Sequence, residues 1–293
     1  MFGFRDEFTY FKCSFCGCLQ IVTPPKDLSK YYPSESYYSY QSLATLSCKS
    51  KKLIDCIKWF LIILYWNFKV PLHKLPYLRN FKWVHALQKL SKTSSILDVG
   101  CGSGRLLRQM SSWGFKNLTG IDPFIEADIT YTWGVKVFKS DVFNHVGKYD
   151  LIMLHHSFEH MDNPYGVLKQ LYRLLNPEGE VLIRIPVSDS FAWRKYGVNW
   201  SQLDAPRHFF LHTTNSITRL ATSCGFVLYR ISYDSTEGQF LDGEKYSRNI
   251  TLHEHIAVES SCIRECKKQA KILNKIKDGD QACFILKKAS TKS

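Results

Sequence analysis

Apolar residues in this chain come mostly as short solid runs separated by amphipathic stretches. Ile96-Leu97-Asp98-Val99, Leu118 to Ile121, Val135 to Phe138, Tyr149 to Leu154, Glu180 to Ile185, Phe226 to Tyr233 and Ala282 to Lys287 each read as a strand. Near-continuous apolarity over such lengths is the pattern of strands buried on both faces of a parallel sheet. Between the first two runs, Leu106, Leu107 and Met110 fit the apolar face of a helix. A second helix starts near Asn163-Pro164 and ends around Asn176-Pro177-Glu178-Gly179. This order predicts a doubly wound α/β sheet of seven strands, mostly parallel with the last antiparallel, whose ligands lie at the strands' carboxyl ends.

The turn after the first strand narrows the ligand. It reads Gly100-Cys101-Gly102-Ser103-Gly104, with Arg105 where a dinucleotide fingerprint has its third glycine. Glycines there accept unusual φ angles and let a ligand approach the backbone closely. Asp122, closing the second strand, can accept hydrogen bonds from both hydroxyls of an adenosine ribose, and Asp98 can orient the turn or bind an ammonium group. A pyrophosphate would be repelled by Asp98; an adenosine with an amino-acid tail would use every one of these groups.

D-x-G-x-G-x-G followed by an acid after the second strand resembles the S-adenosylmethionine (SAM) site of class I methyltransferases. The likeness extends through YDLIMLHHSFEHMDNP, LLNPEGEVLIRIP and DAPRHFFLHTT and covers residues 93–235. It is greatest to the branch containing the ubiquinone-type O-methyltransferases and the methyltransferases of bacterial surface-glycan clusters. The resemblance implies a Rossmann-like fold and SAM as cofactor. It places Asp98, Gly100, Cys101, Gly102, Gly104, Asp122, Pro123, Asp141, Val142 and His155 around that cofactor, Asp141 on the exocyclic amine of adenine. A Rossmann-type domain for another nucleotide is the competing reading.

His155-His156-Ser157-Phe158-Glu159-His160 follows the fourth strand, on the rim where such sheets collect catalytic residues. H-x-x-E-H also matches an inverted zinc-peptidase motif, but that needs a helix, and the segment before Pro164 is too short for one. Relatives carry E-x-x-E-H, whose carboxylates and histidine can hold a divalent cation. His156 replaces the first acid here, which removes a hard oxygen ligand. The expectation is therefore no metal and a histidine base, His156 or His160, with Glu159 beside it and His208 as a second base or orienting group. Trp193, Trp200 and Arg207 are candidates for the acceptor, the tryptophans stacking on a ring and the arginine gripping a phosphate or carboxylate. Each of these residues equally suits a loop held by its own polar groups.

At the N-terminus, Cys13-x-x-Cys16-Gly17 reads as half of a zinc ribbon. Four ligands are needed, and the nearest further thiols are Cys18 and Cys48, so a vestigial hairpin is the simpler expectation. Tyr31, Tyr32, Tyr37, Tyr38 and Tyr40 lie in a Pro- and Ser-containing linker or lid. The run Trp59 to Trp66 within residues 50–68 is too short to span a bilayer, which takes about 20 apolar residues. It suits a helical cap, or peripheral membrane contact through its lysines and tryptophans. The domain plan expected is a knuckle and linker over 1–40, a cap over 41–92 including a helix from Arg79 to Leu90, and a methyltransferase domain over 93–293. That last domain carries an insertion at 186–215 and a Lys/Glu-rich, partly helical segment at 236–280 without assigned function.

Composition adds two constraints. A formal charge of +13 points to an acidic partner, and basic residues scattered without a continuous basic helix make nucleic acid an unexpected one. Ten cysteines with no basic-then-apolar leader in MFGFRDEF suggest free thiols in a reducing cytoplasm. The function expected is methyl transfer to a hydroxyl of a small glycan, nucleotide-sugar or related acidic acceptor. The alternatives are a quinone or lipid acceptor at a membrane surface, or a non-catalytic SAM-binding module.

Overall fold

The computed structural model describes residues 6–32, 90–254 and 256–290. The apolar run at 50–68, almost all of the cap over 41–92, Cys48, and Tyr37, Tyr38 and Tyr40 lie outside the described residues. No helix among the described residues is long and apolar enough to cross a membrane.

Eleven strands are present among them: β1 (Tyr10–Lys12), β2 (Leu19–Ile21), β3 (Ser95–Val99), β4 (Asn117–Ile121), β5 (Ile129–Thr130), β6 (Lys136–Phe138), β7 (Tyr149–His155), β8 (Leu175–Pro186), β9 (Phe210–Leu211), β10 (Phe226–Tyr233) and β11 (Gln281–Lys288). The helices are α1 (Arg105–Ser112), α2 (Pro164–Leu174), α3 (Phe191–Tyr196), α4 (Thr214–Ser223), α5 (Gly238–Ser247) and α6 (Ser260–Lys275). The central sheet has eight strands in the order β10-β11-β8-β7-β3-β4-β6-β5. β3 pairs in parallel with both β4 and β7, and β4 with β6. All seven strands expected from the apolar runs are there, and the last in sequence lies between β8 and β10. The eighth is a correction to that count. β5 is a two-residue antiparallel edge on β6, made by a turn in which Tyr131 N–H donates to Val135 O.

The chain divides into two compact units. One comprises the described parts of Ser34–His155, Gly166–Ile183 and Ile285–Ser293. Its core is the apolar runs themselves: Ile96, Leu97 and Leu151 to Leu154 have no exposed surface. Burying each such side chain contributes roughly 1.5–3 kcal/mol. Against them α1 turns Leu107 and Met110, also fully buried.

The other unit comprises the described parts of Met1–Pro33, His156–Tyr165 and Arg184–Phe284. It contains a small antiparallel sheet, β1-β2-β9. Leu19 faces Leu211 there, packed with Ala192, Tyr196 and Trp200. The Cys13–Gly17 knuckle is the turn of the β1–β2 hairpin, closed by Gly17 N–H on Cys13 O and Cys13 N–H on Cys18 O. Backbone amides at Cys16 and Phe15 hold the Cys13 thiol below its usual pKa, whereas burial pushes Cys18 up to about 12. The segment 236–280 is α5 and α6 with their connections, and α4 starts in a capping box between Thr213 and Ser216.

Candidate functional site

In the first unit, β3 delivers Asp98 and runs into the glycine turn. Gly100, Gly102 and Gly104 have φ of +76°, +53° and +80°, a region that costs any residue with a Cβ. At Gly104 a Cβ would also lie 2.9 Å from Val137. The turn hangs from β4: the Gly100 and Cys101 amides both donate to Ile121 O, at 2.8 and 3.3 Å. Asp122 then accepts from the Gly102 amide at 2.8 Å with one oxygen and from the Phe124 amide at 2.9 Å with the other. It shapes the turn while keeping lone pairs for a ligand hydroxyl. Cys101 packs its sulfur against Gly120, where a Cβ would sit 2.5 Å away. Gly120 is thus part of the turn's construction, a role that the sequence offered only as a small residue inside an apolar run.

Asp98 is 3% exposed, and burial together with the neighbouring Asp122 raises it to about 7. Burial also raises Asp122. Two buried carboxylates beside a glycine cradle fit a cationic, ribose-bearing ligand such as SAM. Asp141 lies further along: its Oδ1 accepts the Phe143 and Asn144 amides at 2.8 and 2.9 Å, and its Oδ2 the Asn144 side chain. Val142 is buried beside it, Pro123 is exposed next to Asp122, and His155 ends β7.

The second unit gathers His156, Glu159, His160 and His208. Phe158–His160 forms a single 3-10 turn, not the helix a zinc-peptidase motif needs. The Phe209 amide on Glu159 O at 2.8 Å ties that turn to the segment after His208. Glu159 is fully buried, and neither carboxylate oxygen has a hydrogen-bond partner. Burial raises its pKa, while the adjacent His156 imidazole, and the charge of His160 and His208 whenever those rings are protonated, lower it by more. Burial lowers His160 to about 4, so its ring is neutral at pH 7. Each of these histidines is anchored through Nδ1 to a main-chain carbonyl: His160 to Arg207 O at 2.8 Å, His208 to Gln202 O at 2.7 Å. A carbonyl only accepts, so both Nδ1 atoms carry hydrogen, and a lone pair stays on Nε2 in the neutral form of each ring; His208 Nε2 lies 3.9 Å from Glu159 Oε1 and 3.7 Å from Asp204 Oδ2. Glu159, His160 and His208 each offer a ligand atom within 4.8 Å of the others. An orphaned buried carboxylate with two such imidazoles fits a divalent cation.

His156 is held differently. Its Nε2 lies 2.7 Å from Arg184 Nη1, and its Nδ1 3.5 Å from Glu159 Oε1. Arg184 in turn donates to Asp234 at 2.7 Å. Sequence reasoning passed over Arg184 and Asp234; the available signal was a lone arginine inside the apolar run of β8. Arg207 is 5% exposed, bonded to Asp204, and lies over the Tyr32 ring with 5.5 Å to the centroid. Tyr32, otherwise only one of a tyrosine run, reaches His160 Nδ1 at 3.1 Å. Trp193 sits edge-on to Trp200 at 5.9 Å. Trp200 itself does not present a face to an acceptor: it has no exposed surface, and its indole N–H donates to Asp280 at 3.0 Å.

Residues 72–231 match the model of a methyltransferase-domain family. The chain belongs to this family, in its class I form with SAM as the cofactor. A ubiquinone biosynthesis O-methyltransferase from Erwinia tasmaniensis is 29% identical over 136 residues, 42% of this chain and 54% of that protein. A tRNA U34 carboxymethyltransferase from Aliarcobacter butzleri is 28% identical over 148 residues, 46% of this chain and 48% of that one. The chain thus spans about half the length of the curated relatives it matches. A solved SAM-dependent methyltransferase from Thermotoga maritima, a possible histamine N-methyltransferase, aligns over 81% of this chain and 96% of its own. The identity is 16% and the TM-score 0.47.

Proposed function

We propose that this chain transfers a methyl group from SAM to a hydroxyl of a small acidic acceptor, a glycan or nucleotide-sugar intermediate before a quinone or lipid. The observation that carries an oxygen acceptor is the buried, unpartnered Glu159 carboxylate with the His160 and His208 rings grouped around it. An amine already has a lone pair to attack with, whereas a hydroxyl must lose its proton during the reaction, and these groups stand ready to receive it. Relatives named as O-methyltransferases and the +13 charge support the same reading.

SAM supplies a methyl group on a sulfonium sulfur, already activated for in-line displacement. The protein's task is alignment and proton removal. Asp122 holds the ribose hydroxyls, Asp98 pairs with the ammonium, and the glycine turn lets both approach the backbone. Glu159, His160 and His208 draw the proton from the acceptor hydroxyl. His156 does not offer its Nε2 to the acceptor, because Arg184 occupies that nitrogen. A divalent cation on Glu159, His160 and His208 would make the hydroxyl easier to ionise.

The test is a panel of nucleotide sugars, sugar phosphates and catechols with radiolabelled SAM, run for wild type, His160→Ala and His208→Ala. Transfer confined to phosphorylated sugars, lost at least a hundredfold in both variants at unchanged SAM affinity, is expected. Unchanged turnover in both variants, or transfer to amines alone, would refute an oxygen acceptor served by this cluster. SAM binding with no transfer to any acceptor favours a non-catalytic binding module.

A further inference from the structure

We infer a second ligand site, at the end of the central sheet opposite the cofactor turn, where Lys116, Lys136 and Lys148 grip the diphosphate group of a small molecule. It shares no residue with the methyl-transfer site and does not depend on the acceptor chosen above.

Parallel pairing fixes where the lysines gather. β3 runs beside β4 and β7, and β4 beside β6, all in one direction. Their carboxyl ends carry the glycine turn, Asp122 and Asp141, whereas their amino ends open with Ser95, Asn117, Lys136 and Tyr149. Lys116 and Lys148 immediately precede two of those strands, so all three lysines fall on one edge. There they line a cleft of about 360 Å³ together with Ser95, Thr119 and Tyr149. Four residue steps of β4 separate that edge from the strand's other end, ~13 Å at about 3.3 Å per step.

The lining selects an anion. No acid is among the described residues that form it. Asp150 follows Tyr149 but belongs to the opposite face of β7 by strand alternation, and its carboxylate accepts the Ser95 amide and the Asn176 side chain at 2.8 and 2.7 Å. Lys148 is held by donating from Nζ to Arg173 O at 2.7 Å, which leaves two of its three hydrogens for a ligand. Lys288 donates to Leu175 O at 2.8 Å, and burial and then the Lys148 charge lower its pKa, so positive charge is crowded along this edge. Ser95 and Thr119 add hydroxyl donors. Lysine binds phosphate as a point charge. A single phosphate ester carries about −1.5 to −2 at pH 7, less than three ammonium groups supply, whereas a diphosphate matches them. The volume lies within the roughly 300–1,000 Å³ of small-molecule sites, so an organic group can accompany the phosphates. A nucleic-acid strand would need its cations along an extended groove with stacking aromatics; three around one cleft fit a compact anion.

The experiment titrates the full chain calorimetrically with inorganic pyrophosphate and with ADP at fixed ionic strength, with and without saturating SAM. One equivalent of a diphosphate probe per chain is expected, bound equally well with SAM in place. Lys116→Gln and Lys136→Gln should each weaken it at least about fivefold, and together at least about thirtyfold, with melting temperature and SAM affinity unchanged. Lys136→Glu, which reverses a charge, should abolish it. Pyrophosphate binding as tightly as ADP would assign the site to the diphosphate group itself, and tighter ADP to a nucleotide; either result supports it. Affinity left within about twofold in the double Gln variant, binding lost under saturating SAM, or pyrophosphate no tighter than sulfate would overturn the site. So would an oligoribonucleotide bound through these lysines when neither diphosphate probe binds. SAM binding is read in the same titrations, so failure of this site and failure of the methyltransferase reading are told apart.

Discussion

Asp98→Asn separates stability from function at the cofactor turn. In the free protein Asp98 is lifted from 3.8 to about 7 by burial and by Asp122. At about 1.36 kcal/mol per pKa unit, ionising it in the folded state costs up to ~4 kcal/mol. Local relaxation and water entry reduce such a figure, so about 2 kcal/mol is the working expectation. The sign follows from linkage. An acid raised on folding imposes no penalty below its unfolded pKa, near 4; the penalty grows between pH 4 and 7 and is full above 7. Asparagine keeps the shape and removes the charge. The variant without SAM should therefore melt ~4–6 °C above wild type at pH 8, and the gain should vanish by pH 4.5. SAM affinity should fall about a hundredfold, the worth of one hydrogen bond to a charged group. Wild-type binding should release a proton below pH 7, read calorimetrically as a buffer-dependent enthalpy, since a bound ammonium drives Asp98 to its charged form. Equal destabilisation of Asp98→Asn at both pH values would sink the argument.

Four further outcomes follow from the same geometry. Asp122→Ala should abolish measurable SAM binding by calorimetry, because the Gly102 and Phe124 amides lose their shared anchor; micromolar affinity, about −8 kcal/mol, surviving in the variant would contradict this. Gly120→Ala should destabilise by roughly 1–3 kcal/mol in chemical denaturation, since the added Cβ meets Cys101 Sγ at 2.5 Å; a neutral result would mean the turn is looser than described. Arg184→Met should cost about 3–5 kcal/mol in the same assay, leaving Asp234 buried without its cation, and a cost below 1 kcal/mol would deny the Asp234–Arg184–His156 chain. Burial holds His212 at about 4, below its unfolded value near 6.5, so the folded protein loses stability as pH falls from about 6.5 to 4; His212→Gln should flatten that limb of a melting-temperature profile, and an unchanged limb would show the ring charges freely when folded.

The core strands were legible because a strand buried on both faces leaves the simplest sequence trace, a solid apolar run. The runs from Ile96 and from Tyr149 became β3 and β7 with little shift at either end. Short antiparallel pairings leave no such trace. β5 has two residues, and β1, β2 and β9 have three, three and two. Their partners are chosen by contacts far away in sequence, as when Tyr10 donates its hydroxyl hydrogen to His208 O at 2.7 Å across 198 positions. The CxxC spacing read as half of a zinc ribbon with a vestigial hairpin the simpler expectation, and the hairpin's Tyr10 is tied to the His208 backbone. Trp200 was ambiguous for a related reason: an indole serves equally as a core filler with one polar tip or as a stacking platform, and only Asp280 at its N–H decides.

His156 shows where local reading reaches its limit. From the motif alone, an imidazole in place of a carboxylate weakens a magnesium site and leaves a free base, and both conclusions follow from the residue type. What reverses the second is Arg184, 28 positions later on β8 and 2.7 Å from Nε2. Once a group that can only donate occupies that nitrogen, the ring's remaining hydrogen lies on Nδ1, 3.5 Å from Glu159 Oε1, and Nε2 is no longer open to a proton from elsewhere. The same logic applied to His160 and His208 gives the opposite result, because their neighbours are carbonyls that only accept, on Nδ1, and in the neutral ring the lone pair is left on Nε2. Three histidines around one buried carboxylate thus divide into two kinds by the polarity of one neighbour each. That neighbour is a backbone carbonyl or a side chain from another strand, and a one-dimensional motif records neither.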